Sequence, residues 1–270
     1  MRFGCNTVLF TTQDLPGALE RVAWCGFTEV ELSAIPGMCE HIDPRRDDAQ
    51  KIRQQVEKAG LRAVAIEAAM NLSMAENIPR FLSVLRFAAQ IGVEVVNTGN
   101  GGKSNDPVSE HAVYQAIREL APQAQDLGIK IGIKAHVNQA IYNTESALRA
   151  LNAIPIEGWG INYDASHLYR VGDDVVQAVQ QLGQRIVSVH IRDTLERVIP
   201  IGPPQTQIPG RGHIDLLAVL HAFQAIHYNG PIDLEVIGGA TLQDWQAVAL
   251  AAESRGYLHH VMQTVEEASC

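Results

Sequence analysis

The sequence has few cysteines, and the four it has, Cys5, Cys25, Cys39 and Cys270, form no C-x-x-C pair and no regular spacing. Neither a disulfide framework nor a zinc-thiolate site is therefore indicated, and free thiols in a reducing compartment are expected. No apolar run approaches the roughly 20 residues of a membrane span, and the opening residues Met1 to Asn6 are too few and too polar for a signal core. The chain is expected in the cytoplasm, with no membrane partner. Positive charge is also short: 21 Lys and Arg stand against 30 Asp and Glu, a formal net charge of −9. A nucleic-acid partner is disfavoured by that balance. A glycine-rich turn after the first apolar run is missing too. Asn6-Thr7-Val8-Leu9 stands there instead, which argues against a dinucleotide-binding open sheet.

What is present is 270 residues with 46% hydrophobic and 19% charged content, enough to bury the core of one large α/β domain over 1–270. Short β-rich apolar runs alternate with longer helical segments along the whole chain, the pattern of parallel strands joined by crossover helices. The strands are expected at 2–9, 28–33, 61–67, 93–98, 129–136, 159–164, 185–191 and 231–236. Gly26, Gly60, Gly92 and Gly128 follow helical runs as terminators. The segment from Asp47 to Lys58 begins acidic and ends basic, Asn143 to Ser146 and Asp173-Asp174 offer caps, and a final helix is expected over 241–268, opening at Thr241. Pro and Gly collect in one long loop, 198–212. Eight β/α pairs are the stoichiometry of a (β/α)8 TIM barrel, in which every strand's C-terminal end points to one face.

Three apolar runs close on a single metal-type ligand: Asp164 after Ile161-Asn162-Tyr163, His190 after Val187-Ser188-Val189, and Glu235 after Ile232-Asp233-Leu234. Carboxylate and imidazole together suit a divalent cation such as Mn, Co or Zn, which also polarises a carbonyl or hydroxyl group. The same face is expected to carry Asn6, Glu31, Ser33, Glu67, Asn97, Asn100, His136, His167, Arg192 and Arg197. The fifth strand ends differently. Ile131-Gly132-Ile133 closes on Lys134.

The pieces Tyr163-Asp164-Ala165-Ser166-His167, Val189-His190-Ile191-Arg192-Asp193, Pro209-Gly210-Arg211-Gly212-His213-Ile214-Asp215 and Asp233-Leu234-Glu235 resemble, in order and spacing, the second half of the xylose isomerase-like TIM barrels, the sugar phosphate isomerase/epimerase family. The resemblance implies one divalent metal held by a Glu of the fifth strand, the Asp of D-x-x-H, the His of the seventh strand and a Glu of the eighth. Those positions here are Lys134, Asp164, His190 and Glu235. It also implies that His167 and Arg197 contact substrate, and that the two ligand glutamates move the proton in epimerases. Only Glu235 of that pair is present. Family members carry an acidic or amide residue where this chain has Arg211, which suggests a loop that meets a more anionic substrate. His213 either contacts substrate or only fixes the loop.

A protonated lysine cannot ligate a cation and repels one. Three arrangements stay open. The ammonium takes the metal's place between Asp164 and Glu235; a metal binds Asp164, His190 and Glu235 with help from His136 or Glu67; or Lys134 is deprotonated and acts as a base or nucleophile, which the nearby carboxylates disfavour. The expected function is a sugar isomerase or epimerase moving a proton beside a carbonyl of a small polyhydroxylated substrate. Glu235, Lys134 and His167 are the catalytic candidates, and His136, Arg197, Glu67 and Asn6 the substrate-binding ones. The alternatives are an inosose- or dehydroshikimate-type dehydratase and a metal-free, inactive binding protein. Dimerisation through the outer helices is compatible with the pattern.

Overall fold

The structure, a computed structural model, describes residues 1–197 and 200–267. Cys270, the last expected helical residue Ala268, and Val198 and Ile199 of the long loop lie outside the described residues.

Eight parallel strands close into a barrel: β1 (Arg2–Asn6), β2 (Glu29–Ile35), β4 (Arg62–Glu67), β5 (Val95–Thr98), β6 (Lys130–Lys134), β7 (Trp159–Asp164), β8 (Ile186–Ile191) and β9 (Pro231–Leu234). The pairing of β1 with both β2 and β9 completes the ring. A short β3 (Cys39–Glu40) folds back antiparallel on β2. The helices that follow the strands are α1 (Leu15–Trp24), α2 (Ala49–Lys58), α3 (Ile78–Ile91), α4 (Pro107–Asp126), α5 (Thr144–Ala153), α6 (Ala165–Arg170) with α7 (Val175–Leu182), α8 (Leu216–Ala225) and α9 (Asp244–Glu267). This is the TIM barrel that the alternation predicts.

Local chemistry explains the boundaries. Asp48 caps α2 by accepting from the amides of Gln50 and Lys51, Asn143 and Ser146 form a capping box on α5, and Asp174 caps α7. Strand β1 stops at Asn6, short of the expected residue 9, because the Asn6 side chain accepts from the amide of Val8 and starts a 3-10 turn over Thr7–Phe10. The final helix begins at Asp244, not at Thr241. Thr241 instead closes a 3-10 turn, its amide and hydroxyl both donating to the carbonyl of Gly238.

Alternation along the strands sends Leu32, Ile66, Val96, Ile133, Ile161, Val189 and Leu234 outward under the helices, where they join Leu19, Phe81, Leu85, Leu120, Leu220 and Phe223 in one buried cluster. Each such side chain contributes about 1.5–3 kcal/mol by leaving water. The opposite set of side chains faces the barrel axis and is strongly polar. Asn6, Glu31, Asn97, Asn162, Ser188 and His190 are all fully buried there. A side chain on Gly132, two residues before Lys134, would stand 2.1 Å from Oδ1 of Asn97, so only glycine admits that polar packing. Cys5, Cys25 and Cys39 are buried free thiols, and no helix among the described residues is long and apolar enough to cross a membrane.

Candidate active site

At the C-terminal face of the barrel a cleft of about 620 Å3 opens between the strand-to-helix loops. Its lining includes Glu67 from β4, Lys134 from β6, His136 just beyond, His167 and Arg170 from α6, Arg192 after β8 and Glu235 after β9. These residues sit at strand ends because a closed parallel barrel brings those ends together, as the sequence implied.

Lys134 holds the centre. Its Nζ lies 2.9 and 3.0 Å from the two carboxylate oxygens of Glu235 and 3.9 Å from both Glu67 Oε2 and Asp164 Oδ2. Arg192, just beyond β8, clamps two of the same acids, with one terminal nitrogen 2.8 Å from Asp164 Oδ2 and the other 3.0 Å from Glu235 Oε2. Its Nε donates to the Ser166 hydroxyl at 2.8 Å. The remaining oxygen of Asp164 caps α6, accepting from the Ser166 amide and hydroxyl and from the His167 amide. Burial pushes the Lys134 ammonium toward neutrality, but Glu235, Glu67 and Asp164 outweigh it and raise its pKa above the usual lysine value. Lys134 is thus an ammonium, and a nucleophilic role for it is disfavoured. Burial likewise acts against the charge on Glu235, yet Lys134, His190 and Arg192 hold that carboxyl well below the usual range.

A polar layer supports this floor from beneath. His190 Nε2 lies 2.7 Å from Glu31 Oε2, and its Nδ1 lies 3.3 Å from Glu235 Oε1. Burial alone would lower the imidazole's pKa; Glu31 overcomes it, and with Glu235 pushes it up to about 10. Asn6 and Asn97 donate to the two oxygens of Glu31 at 2.6 and 2.7 Å, and Ser33 donates to Asn6 at 2.7 Å. Asn6, Glu31, Ser33 and Asn97 therefore brace the site and do not line the cleft. Asn100 is also structural, its amide donating to the carbonyls of Lys134 and Ile141.

Glu67 differs from the other acids. It lines the cleft, one of its oxygens accepts from the Ala69 amide at 2.8 Å, and the other has no hydrogen-bond partner among the described residues. Burial raises its pKa to about 7, with Lys134 and His190 acting in the opposite direction. His136 and His167 pack against each other with ring centroids 4.0 Å apart and planes tilted by 41°, and form one wall. Burial and nearby cations lower both, His136 to about 4, so both rings are neutral near pH 7.

Two expected residues stand elsewhere. Arg197 lies over the ring of Tyr169, its Cζ 4.3 Å from the centroid, and is exposed outside the cleft. Arg211 pairs with Glu253 of α9 and does not meet the cleft, so the loop does not present it to a substrate there. The exposed His213 donates its amide to the carbonyl of Thr194, while the Asp193 carboxylate holds the same turn by accepting from the amides of Gly210, Gly212 and Ile214. Arg170 was not anticipated. It stands three residues after His167, which stands three after Asp164, a helical interval that places all three on one side of α6. Of the long loop, Pro200 and Ile201 reach the cleft mouth.

Asp164, His190 and Glu235 can bring one ligand atom each within 4.8 Å of one another, as can Glu31, Glu67 and His190. The first group is the metal set that the resemblance implies. The donors are nevertheless already engaged: both oxygens of Asp164 and of Glu235 face fixed donors, and both ring nitrogens of His190 face carboxylates. A unit positive charge ~4 Å from a doubly charged ion is repelled by roughly 8 kcal/mol even at an effective dielectric of about 20. With Lys134 and Arg192 both held against Asp164 and Glu235, the residues present do not fit a divalent ion.

A sequence profile described as xylose isomerase-like TIM barrel matches residues 19–259. An inosose isomerase of Bacillus velezensis is 27% identical over 125 residues, 45% of this chain and 45% of that protein. The match thus spans less than half the length of that curated relative. Among solved structures, a D-tagatose 3-epimerase-like protein superposes with a TM-score of 0.82 at 18% identity, covering 100% of both chains. An L-ribulose 3-epimerase superposes with a TM-score of 0.80 at 17% identity, covering 99% of this chain and 96% of that one. At such identities the superpositions establish the fold.

Proposed function

The chain belongs to the xylose isomerase-like TIM barrel family, and on that premise we propose that it is an isomerase- or epimerase-type enzyme acting on a small polyhydroxylated carbonyl compound. The named activities of the inosose isomerase and the sugar 3-epimerases that it resembles support that class. The observation that carries the reading is the placement of Lys134, Arg192 and Glu67 together on the floor of one cleft, two fixed cations beside a carboxyl group with an unpartnered oxygen.

The chemistry follows from those charges. Taking a proton from the carbon beside a carbonyl leaves negative charge on the carbonyl oxygen, and preorganised cations in a water-poor site stabilise it. Lys134 and Arg192 have that role. The proton needs an acceptor whose affinity is near that of the medium, and Glu67 meets this better than Glu235, which three cations hold strongly acidic. Glu235 then orients the ammonium. The neutral imidazole of His136 and the guanidinium of Arg170 hydrogen-bond the substrate's hydroxyl groups, while His167, whose ring nitrogens already meet the Val137 amide, Arg170 and Arg192, backs the His136 ring.

The test is proton exchange. Incubation with a panel of ketoses and inososes in deuterium oxide, followed by NMR, is expected to show solvent deuterium entering at the carbon beside the carbonyl of at least one compound. No exchange in any of them, from folded protein, would reject the reading.

A further inference from the structure

We infer that Lys134 stands in place of a divalent cation in this barrel: its ammonium, with Arg192 beside it, is the resident positive charge of the site, and an ion enters only when the charge of Lys134 is removed, most tightly when a carboxylate replaces it.

Asp164, His190 and Glu235 converge closely enough to hold one ion, yet Nζ of Lys134 occupies the space between them, bound to both oxygens of Glu235 and within 3.9 Å of Asp164. Lys134 is 5% exposed and cannot move its charge into water without leaving two buried acids behind. Arg192, 1% exposed, fills the adjoining position and is tied to Ser166 as well as to both acids. Beneath them His190 bridges Glu31 and Glu235 and has no free ring nitrogen to offer an ion. Each acid that would ligate is thus neutralised by a covalently attached cation, and an incoming ion would have to displace two of them while facing their repulsion.

Substitution changes this balance at one position. Lys134→Glu removes the ammonium and adds an oxygen ligand at a place where Asp164, Glu235 and Glu67 already lie within 3.9 Å. The variant then holds excess negative charge that a divalent ion relieves. Lys134→Gln removes the charge without adding a carboxylate and is expected to fall between the two.

The functional clause, that the ammonium does the electrostatic work of an ion, rests on the proposed function; the binding clause does not. The experiment is calorimetric titration of chelator-treated protein with Mn salts, with the Co absorption spectrum as a second readout, on wild type, Lys134→Gln and Lys134→Glu. Wild type is expected to bind no stoichiometric ion at micromolar concentration, and Lys134→Glu to bind one at least ~100-fold more tightly, a difference that appears as a ligand-field spectrum with Co. A wild-type site that takes one equivalent, lost in Asp164→Ala, would overturn the inference. So would a folded Lys134→Glu, judged by circular dichroism, that gains no affinity. If Lys134→Glu does not fold, wild type and Lys134→Gln decide: equal affinities in the two overturn it. Turnover of chelator-treated wild type, where a substrate has been found, is expected to be unchanged. Failure to find any substrate counts against the proposed function, and the binding result stands apart from it.

Discussion

His190 and Glu31 meet 2.7 Å apart below the cleft floor, both fully buried, although 159 residues separate them in the chain. The pair forces a charge on the imidazole. Its pKa moves from 6.5 to about 10, against burial, because Glu31 favours the protonated form. A raised pKa in the folded state contributes stability that is complete below about 6.5 and is lost as the pH climbs through about 10. Denaturant titrations are expected to show that decline in wild type and a weaker one in Glu31→Gln. An imidazole that titrates near 6.5 by NMR in the wild-type protein would contradict the assignment.

Arg192 and Arg197 stand five residues apart and have different environments. Removing Arg192 leaves Asp164 and Glu235 short of a buried partner, so Arg192→Met should lose roughly 3–5 kcal/mol of stability. Among the described residues Arg197 stacks on Tyr169 at the surface. Arg197→Ala should lose about 1 kcal/mol or less. Urea midpoints measure both, and similar losses would show that the clamp on the acids has been misread.

Glu67→Gln keeps the shape and the hydrogen-bonding reach of the side chain while removing the proton acceptor. Turnover is expected to fall by roughly 10²–10⁴, with the fold retained. In wild type the rate should rise with pH through about 7 as Glu67 ionises, and that rise should be absent from the residual rate of the variant. A variant with full activity would transfer the proton-accepting role elsewhere.

Asp233 and Gly4 make a pair of opposite predictions. Burial raises the Asp233 pKa well above the usual carboxyl value, Glu31 adds to it, and neither oxygen has a hydrogen-bond partner among the described residues, all of which favour the protonated form. Asp233→Asn should therefore be close to neutral or stabilising at pH 7. A Cβ on Gly4 would stand 2.0 Å from Asp233 Oδ1, and Gly4→Ala should lose about 1–3 kcal/mol. Thermal melts of the two variants separate them, and a marked loss in Asp233→Asn would mean that the carboxyl is charged.

Much of the architecture was legible before folding because it is local. Two-residue and 3.6-residue periodicities mark each strand and helix, and cap chemistry at Asp48, Asn143 and Asp174 marks starts. Misplaced ends have equally local causes, the Asn6 turn after β1 and the Gly238 turn before α9, where one side chain or one left-handed glycine diverted the backbone. The rule that parallel strand ends share one face was enough to group Lys134, Asp164, His190 and Glu235.

The sequence by itself determined the barrel and the membership of its polar rim, since both follow from patterns within single elements. Only the tertiary structure decided depth and partnership. Asn6 and Glu31 lie in the layer under the floor while Glu67 opens onto the cleft, Arg192 turns inward while Arg197 turns out, and Lys134 fastens on Glu235, 101 residues away. The physical reason is that depth and pairing depend on the stagger between strands and on competition among several buried charges for few partners. Neither the stagger nor the competition has a signature in any one stretch of chain.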